Sequence, residues 1–142
     1  MAPHTLIGTL DHAPQVAAEW LDALCLDLGW AERPRAYLLL RTVLHAVRDY
    51  LGPDEAADLG AQLPILVRGI YYEGWNPSGT PVHPRGSSDF IDRVTAAFTA
   101  RPLEDPERAI SAVFRLLRDR VSEGEIEQVA RAMRKSLREL WS

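Results

Sequence analysis

Glu19-Trp20-Leu21-Asp22-Ala23-Leu24 and Asp89-Phe90-Ile91-Asp92-Arg93-Val94 stand 70 residues apart, and the same offset holds the rest of the chain in register without a gap. Val43-Leu44 falls over Val113-Phe114 and Val47-Arg48-Asp49 over Leu117-Arg118-Asp119. Glu55, Leu59, Leu63, Val67-Arg68 and Ile70 fall over Glu125, Val129, Met133, Leu137-Arg138 and Leu140. Identical pairs are few (Asp22/Asp92, Val43/Val113, Arg48/Arg118, Asp49/Asp119, Glu55/Glu125, Arg68/Arg138). What persists is the spacing of apolar residues, which is how a duplicated supersecondary unit reads in sequence.

Each copy predicts three helices. In the first, Pro14 suits the opening position of a helix carrying Val16, Trp20, Leu21, Leu24 and Leu28 before Gly29. A second helix runs from about Pro34 to Leu51 with Leu40, Val43, Leu44, Val47 and Leu51 on one stripe. Gly52-Pro53-Asp54-Glu55 restarts the chain into a third, carrying Ala56, Leu59, Leu63, Leu66, Val67 and Ile70, with a kink expected at Pro64. In the second copy Ser88, Asp105 and Ser122 stand at helix starts, Asp105-Pro106 as cap and first residue, Ser122 and Glu125 in capping-box order. No segment alternates apolar and polar residues with period two. The expected fold is all-α: six helices as two tandem three-helix repeats, residues 14–75 and 88–142, joined by a connector loop at 76–87. A three-helix unit of roughly 60 residues is marginal alone, so the copies are expected to pack into a single domain.

Composition agrees. The 142 residues are 46% hydrophobic and 25% charged, with a formal net charge of −4. That balance suits a globular chain and gives no global attraction to nucleic acid or an anionic membrane. No apolar run approaches the ~20 residues of a membrane span, and Met1-Ala2-Pro3-His4 lacks the basic start of a signal peptide. A single cysteine, Cys25, excludes an internal disulfide and any cysteine-cluster metal site. A reduced, cytoplasmic setting is the expectation.

Val47-Arg48-Asp49-Tyr50-Leu51-Gly52-Pro53-Asp54-Glu55-Ala56-Ala57-Asp58-Leu59, then Gln62-Leu63-Pro64 and Arg68-Gly69-Ile70-Tyr71-Tyr72-Glu73-Gly74-Trp75, resembles the bacterial family labelled domain of unknown function 2267. Val121 to Glu125-Ile126 and Leu137-Arg138-Glu139-Leu140-Trp141 are similar to its second half, so the resemblance runs from about Val16 to Trp141. It implies a small cytosolic helical protein and supplies no catalytic residues to transfer.

The residues themselves point away from catalysis. His4, His12, His45 and His83 are scattered, without the His-Glu-x-x-His or Glu-x-x-His spacing of metal sites. Cys25, between Leu24 and Leu26, reads as a small packing residue. Lys135 follows Arg134 in a helix, with no phosphate-binding glycine loop. Ser78, between Pro77 and Gly79, lacks the strand-to-helix elbow of a hydrolase. No metal or cofactor is expected. Asp22 and Asp92 could form a carboxylate pair across the repeat, although surface solvation explains them as well. Arg48 and Arg118 are expected to clamp the turn after the second helix of each copy, by pairing with Glu55 or Glu125, so Arg118→Ala should lower the melting temperature.

Two surfaces remain as binding candidates. In the connector region, Arg68, Tyr72, Trp75, His83 and Arg85 combine the residue types enriched at interaction hot spots. A packing role is the competing explanation for Tyr72, Trp75 and Arg85. On the last helix, Arg131, Arg134, Lys135 and Arg138 recur at i, i+3, i+4 and i+7 as a basic stripe. Solvation opposite Val129, Met133, Leu137 and Leu140 is the simpler account of that stripe. The expected function is a non-enzymatic module binding a protein partner or a second copy of itself through the connector surface. The alternative is a small-molecule sensor using the groove between the repeats. Nucleic acid is the weaker third, and no membrane partner is expected.

Overall fold

A computed structural model describes residues 4–141; Met1–Pro3, where a leader was sought, and Ser142, the end of the second repeat, lie outside the described residues. Among the described residues all regular structure is helical. The elements are α1 (Gly8–Leu28), α2 (Arg33–Tyr50), α3 (Pro53–Ala61), α4 (Ile65–Tyr72), α5 (Ser87–Thr95), α6 (Pro106–Arg120), α7 (Glu123–Ala132) and α8 (Lys135–Arg138), with short 3-10 turns at Pro77–Gly79 and Glu139–Trp141.

Six helices become eight because each expected third helix is divided. Pro64 has no N–H to donate and disfavours helical backbone at Leu63, so the chain breaks outright and restarts as α4. The second break, at Met133 and Arg134, has no proline. Both residues are extended (φ/ψ −96/155 and −64/151), and the turn lets Trp141 stack on Phe114 at 3.9 Å while its Nε1–H donates to Met133 Sδ at 3.3 Å. Core packing sets that break. Arginine finishes both: Arg68 donates to the carbonyls of Gly60 and Leu63 at 2.9 Å each, and Arg138 to that of Met133 at 3.1 Å. These are carbonyls a helix end leaves without partners.

The first helix also differs from its expected start. Pro14 lies inside α1, which begins at Gly8. Asp11 fastens the entry, accepting the backbone N–H and hydroxyl of Thr5 at 2.8 and 2.9 Å. Those hydrogen bonds hold the Asp11 carboxyl below its ordinary pKa.

The two halves of the chain share one core. α2 and α6 run through it, and α1 packs on both. An aromatic chain crosses the junction: Tyr50 meets Phe90 edge-on at 5.2 Å, and Phe90 meets Phe114 at 5.8 Å. Polar links join the same halves. Arg115 grips Asp27 through two bonds of 2.9 and 3.0 Å, and the connector is tied to the first half where the Val82 N–H donates to the Asp49 carbonyl at 2.9 Å. Three helix boundaries keep the sequence offset (α2 and α6 end at Tyr50 and Arg120, α3 and α7 begin at Pro53 and Glu123, α4 and α8 at Ile65 and Lys135), whereas α1 and α5 begin at Gly8 and Ser87 and α2 and α6 at Arg33 and Pro106.

Capping follows the sequence in part. Asp105 accepts the Arg108 N–H at 3.1 Å, and Ser122 accepts that of Glu125 at 3.3 Å. α5 starts two residues earlier than the Ser88 cap required, with Gly86 in the cap position and Asp89 accepting the Gly86 N–H at 2.9 Å. The capping box at Ser122 is only half made, since the Ser122 N–H donates to Gln62 Oε1 at 3.2 Å. Glu125 is instead buried, near Asp58, and desolvation pushes its pKa above the ordinary glutamate range. An acid whose folded pKa is raised destabilises the fold above that pKa, and the cost disappears below the unfolded value of ~4.3. Glu125→Gln therefore raises the melting temperature at pH 7–8, and the gain fades toward pH 4. Melts across this range check it; no gain at pH 8 would contradict the assignment.

Candidate functional site

The connector residues are largely engaged within the fold. Arg68 is occupied by the end of α3. Tyr72 lies over Gly60 so closely that a Cβ there would overlap its ring, and its hydroxyl points at the Ala57 carbonyl at 3.4 Å. Trp75 is tilted against Tyr72 at 5.2 Å and packs on the core, its Nε1–H buried without a partner among the described residues. His83 is exposed and Arg85 half-buried. None of these five lines either of the two main concavities of the surface.

Arg48 is buried, and its partners are not the expected glutamate. It donates to the carbonyls of Tyr71, in the last turn of α4, and of Glu73, just after it, at 2.9 and 2.7 Å, and to Asp49 at 2.9 Å. A guanidinium there satisfies open carbonyls and opposes the negative end of the helix dipole. Arg118, its counterpart, is exposed. The expected clamp on the turn after α2 through Glu55 is therefore replaced at Arg48 by a hold on the end of α4, and among the described residues Arg118 makes no such contact with Glu125.

The most conspicuous unpartnered surface is apolar and lies on α1, α2 and α4. Ile7, Leu10, Pro14, Ala17, Leu21, Leu24 and Leu28 recur along α1 at alternating spacings of three and four, the 3.5-residue period of a helix seam. The seam changes character along its length. Leu24 is fully buried, Ala17 and Leu21 are half-covered, and Leu10 and Ile7 are 44% and 54% exposed. Beside its midpoint is a groove of about 280 Å3, walled by Ala17 and Leu21, by Tyr37 and Leu40 of α2, and by Leu66 and Ile70 of α4. Leu66 was expected in the core; the break at Pro64 re-aims α4 and leaves it 44% exposed, with Ile65 beside it at 43%. Behind the groove His45 Nε2 is 2.7 Å from the Ile70 carbonyl, and burial lowers the imidazole pKa, which favours neutral His45 donating that bond. Nothing lining the groove is charged and Tyr37 brings its one side-chain hydroxyl, so it can accept apolar side chains.

The family model described as Uncharacterized conserved protein (DUF2267) matches residues 17–140. This chain belongs to the DUF2267 family. The match begins inside α1, so it takes in the groove and leaves Ile7, Leu10 and Pro14 ahead of it. No curated protein matches the chain.

The remaining candidates of this DUF2267 chain are dispersed. The basic stripe is not carried by one helix: Arg131 belongs to α7, Arg134 to the extended break, and Lys135 and Arg138 to α8, so their one-face spacing is lost. Arg131 pairs with Glu127 at 3.3 Å. Asp22 is held by two bonds to Arg33 at 2.7 and 2.8 Å, which lower its pKa, while Asp92 is exposed. Cys25 is half-buried against the core, and desolvation raises its thiol pKa, which disfavours the thiolate. Among the described residues no three His, Cys, Asp or Glu are grouped to hold a metal ion, and no helix is long and apolar enough to cross a membrane.

Proposed function

We propose that this chain is a small, non-enzymatic, cytoplasmic interaction module of bacterial type, built from a duplicated helical unit, and that it assembles with a second copy of itself. The 70-residue correspondence of helix boundaries supports the duplication. The observation that carries the function is the α1 seam, covered by the chain's own core in its second half and open in its first. An apolar ridge (Ile7, Leu10) and an apolar groove (Ala17, Leu21, Leu66) on one helix face are what a two-fold interface requires, because each copy then offers both the knob and the hole. Open apolar patches rimmed by polar residues are a mark of protein interaction sites. Tyr72 and Trp75, ahead of the connector, are engaged within the fold, so this reading moves the docking surface to the α1–α2–α4 face.

Hydrogen exchange at low and high protein concentration tests the location. Peptides covering residues 6–17 should exchange more slowly at high concentration, and those covering 73–87 should not change. Protection confined to the connector would return the interface to the aromatic surface first read from the sequence.

A further inference from the structure

The second concavity is a cleft of about 570 Å3 whose walls come from both halves: residues 28–35, around the α1–α2 turn, and residues 101–109, leading into α6. Its chemistry is unlike that of the apolar groove. Three arginines and three carboxylates, Glu32, Glu104 and Asp105, line it, and two of the arginines donate only to neutral acceptors. Arg35 is stacked between the rings of Trp30 and Phe98, 4.9 and 5.1 Å from their centroids, and donates to the carbonyls of Arg101 and Pro102 at 2.9 and 3.2 Å. Arg108 donates to the Asp27 carbonyl at 2.8 Å. Arg101, by contrast, is paired with Glu32 at 2.9 Å, and Asp105 caps α6.

We propose that this cleft binds a small organic phosphate, with Arg35 and Arg108 as its anion-binding groups. Carbonyl partners fix the two guanidinium planes without neutralising their charge, and a fixed fork with free N–H groups is the arrangement that recognises phosphate. Stacking on two aromatic rings holds Arg35 in place before any ligand arrives, so little side-chain entropy is lost on binding. The volume falls in the range of roughly 300–1,000 Å3 that suits a metabolite. Glu104 on the same wall supplies an acceptor for ligand hydroxyl groups. None of the residues walling the apolar groove lines this cleft, so the site is independent of self-association.

Titration calorimetry at 50 mM salt, with inorganic pyrophosphate and ribose 5-phosphate as probes, tests the site. Both probes should bind the wild type. Arg108→Gln, at an exposed position that leaves the core intact, should weaken binding about tenfold to a hundredfold, the loss expected for one charged hydrogen bond. Arg131→Gln, outside the cleft, should bind as the wild type does. Absence of binding by both probes, or equal binding by wild type and Arg108→Gln, would overturn the proposal.

Discussion

Arg48→Ala is expected to lower stability by about 3–5 kcal/mol, the usual cost of removing one member of a buried ionic cluster. At this chain length that is a fall of roughly 10 °C or more in melting temperature. The side chain is 5% exposed and makes three jobs coincide: it fills the carbonyls of Tyr71 and Glu73 at the end of α4, pairs with Asp49, and spans α2 to α4. Removing it leaves those carbonyls without a donor in a region water cannot easily reach. Its counterpart behaves differently. Arg118 is exposed, so Arg118→Ala should change stability by no more than about 0.5 kcal/mol. Parallel urea or thermal melts of the two variants give the comparison, and equal losses would contradict the asymmetry.

The second large effect concerns assembly. Leu66→Glu puts a charge into the centre of the α1–α2–α4 groove, where a second copy would strip it of water. An unpaired charge at the centre of an apolar interface costs several kcal/mol, so self-association should weaken by about a hundredfold or more. In the isolated chain the same residue is 44% exposed and the glutamate stays hydrated, so the fold should be unaffected. Circular dichroism and a melting curve separate the two: an unchanged melt with lost assembly supports the interface, and retained assembly removes Leu66 from it.

Much of the architecture is legible in the sequence because it rests on periodicity. The stripes Val43, Leu44, Val47 and Ile110, Val113, Phe114, Leu117 are buried as their spacing requires, and α2 and α6 fall within a residue or so of their expected limits. Where the reading departs, a local rule met a tertiary one. Pro14 is at home in a first turn, yet here it lies within a helix fastened at its start by Thr5 and Asp11, so the seam from Ile7 to Pro14 went unseen. Helical spacing counted Leu66 among core residues because it runs on through Pro64, and the break turns that side chain outward. Met133 and Arg134 carry no breaking residue at all; Trp141 seated against Phe114 and Met133 holds the turn there. The site was harder to read for the same reason. Tyr72, Trp75 and Arg68 look like a binding surface by residue type, whereas only the contacts show the carbonyls Arg68 fills and the glycine under Tyr72. Arg35 and Arg108 are 73 positions apart, and nothing in their spacing announces a shared cleft.

Sedimentation equilibrium of the wild-type chain over a concentration series tests self-assembly most directly. The account predicts a mass rising from the 15.9 kDa of one chain toward twice that value as concentration increases through the micromolar range. A mass that stays at 15.9 kDa up to the highest concentration would contradict it.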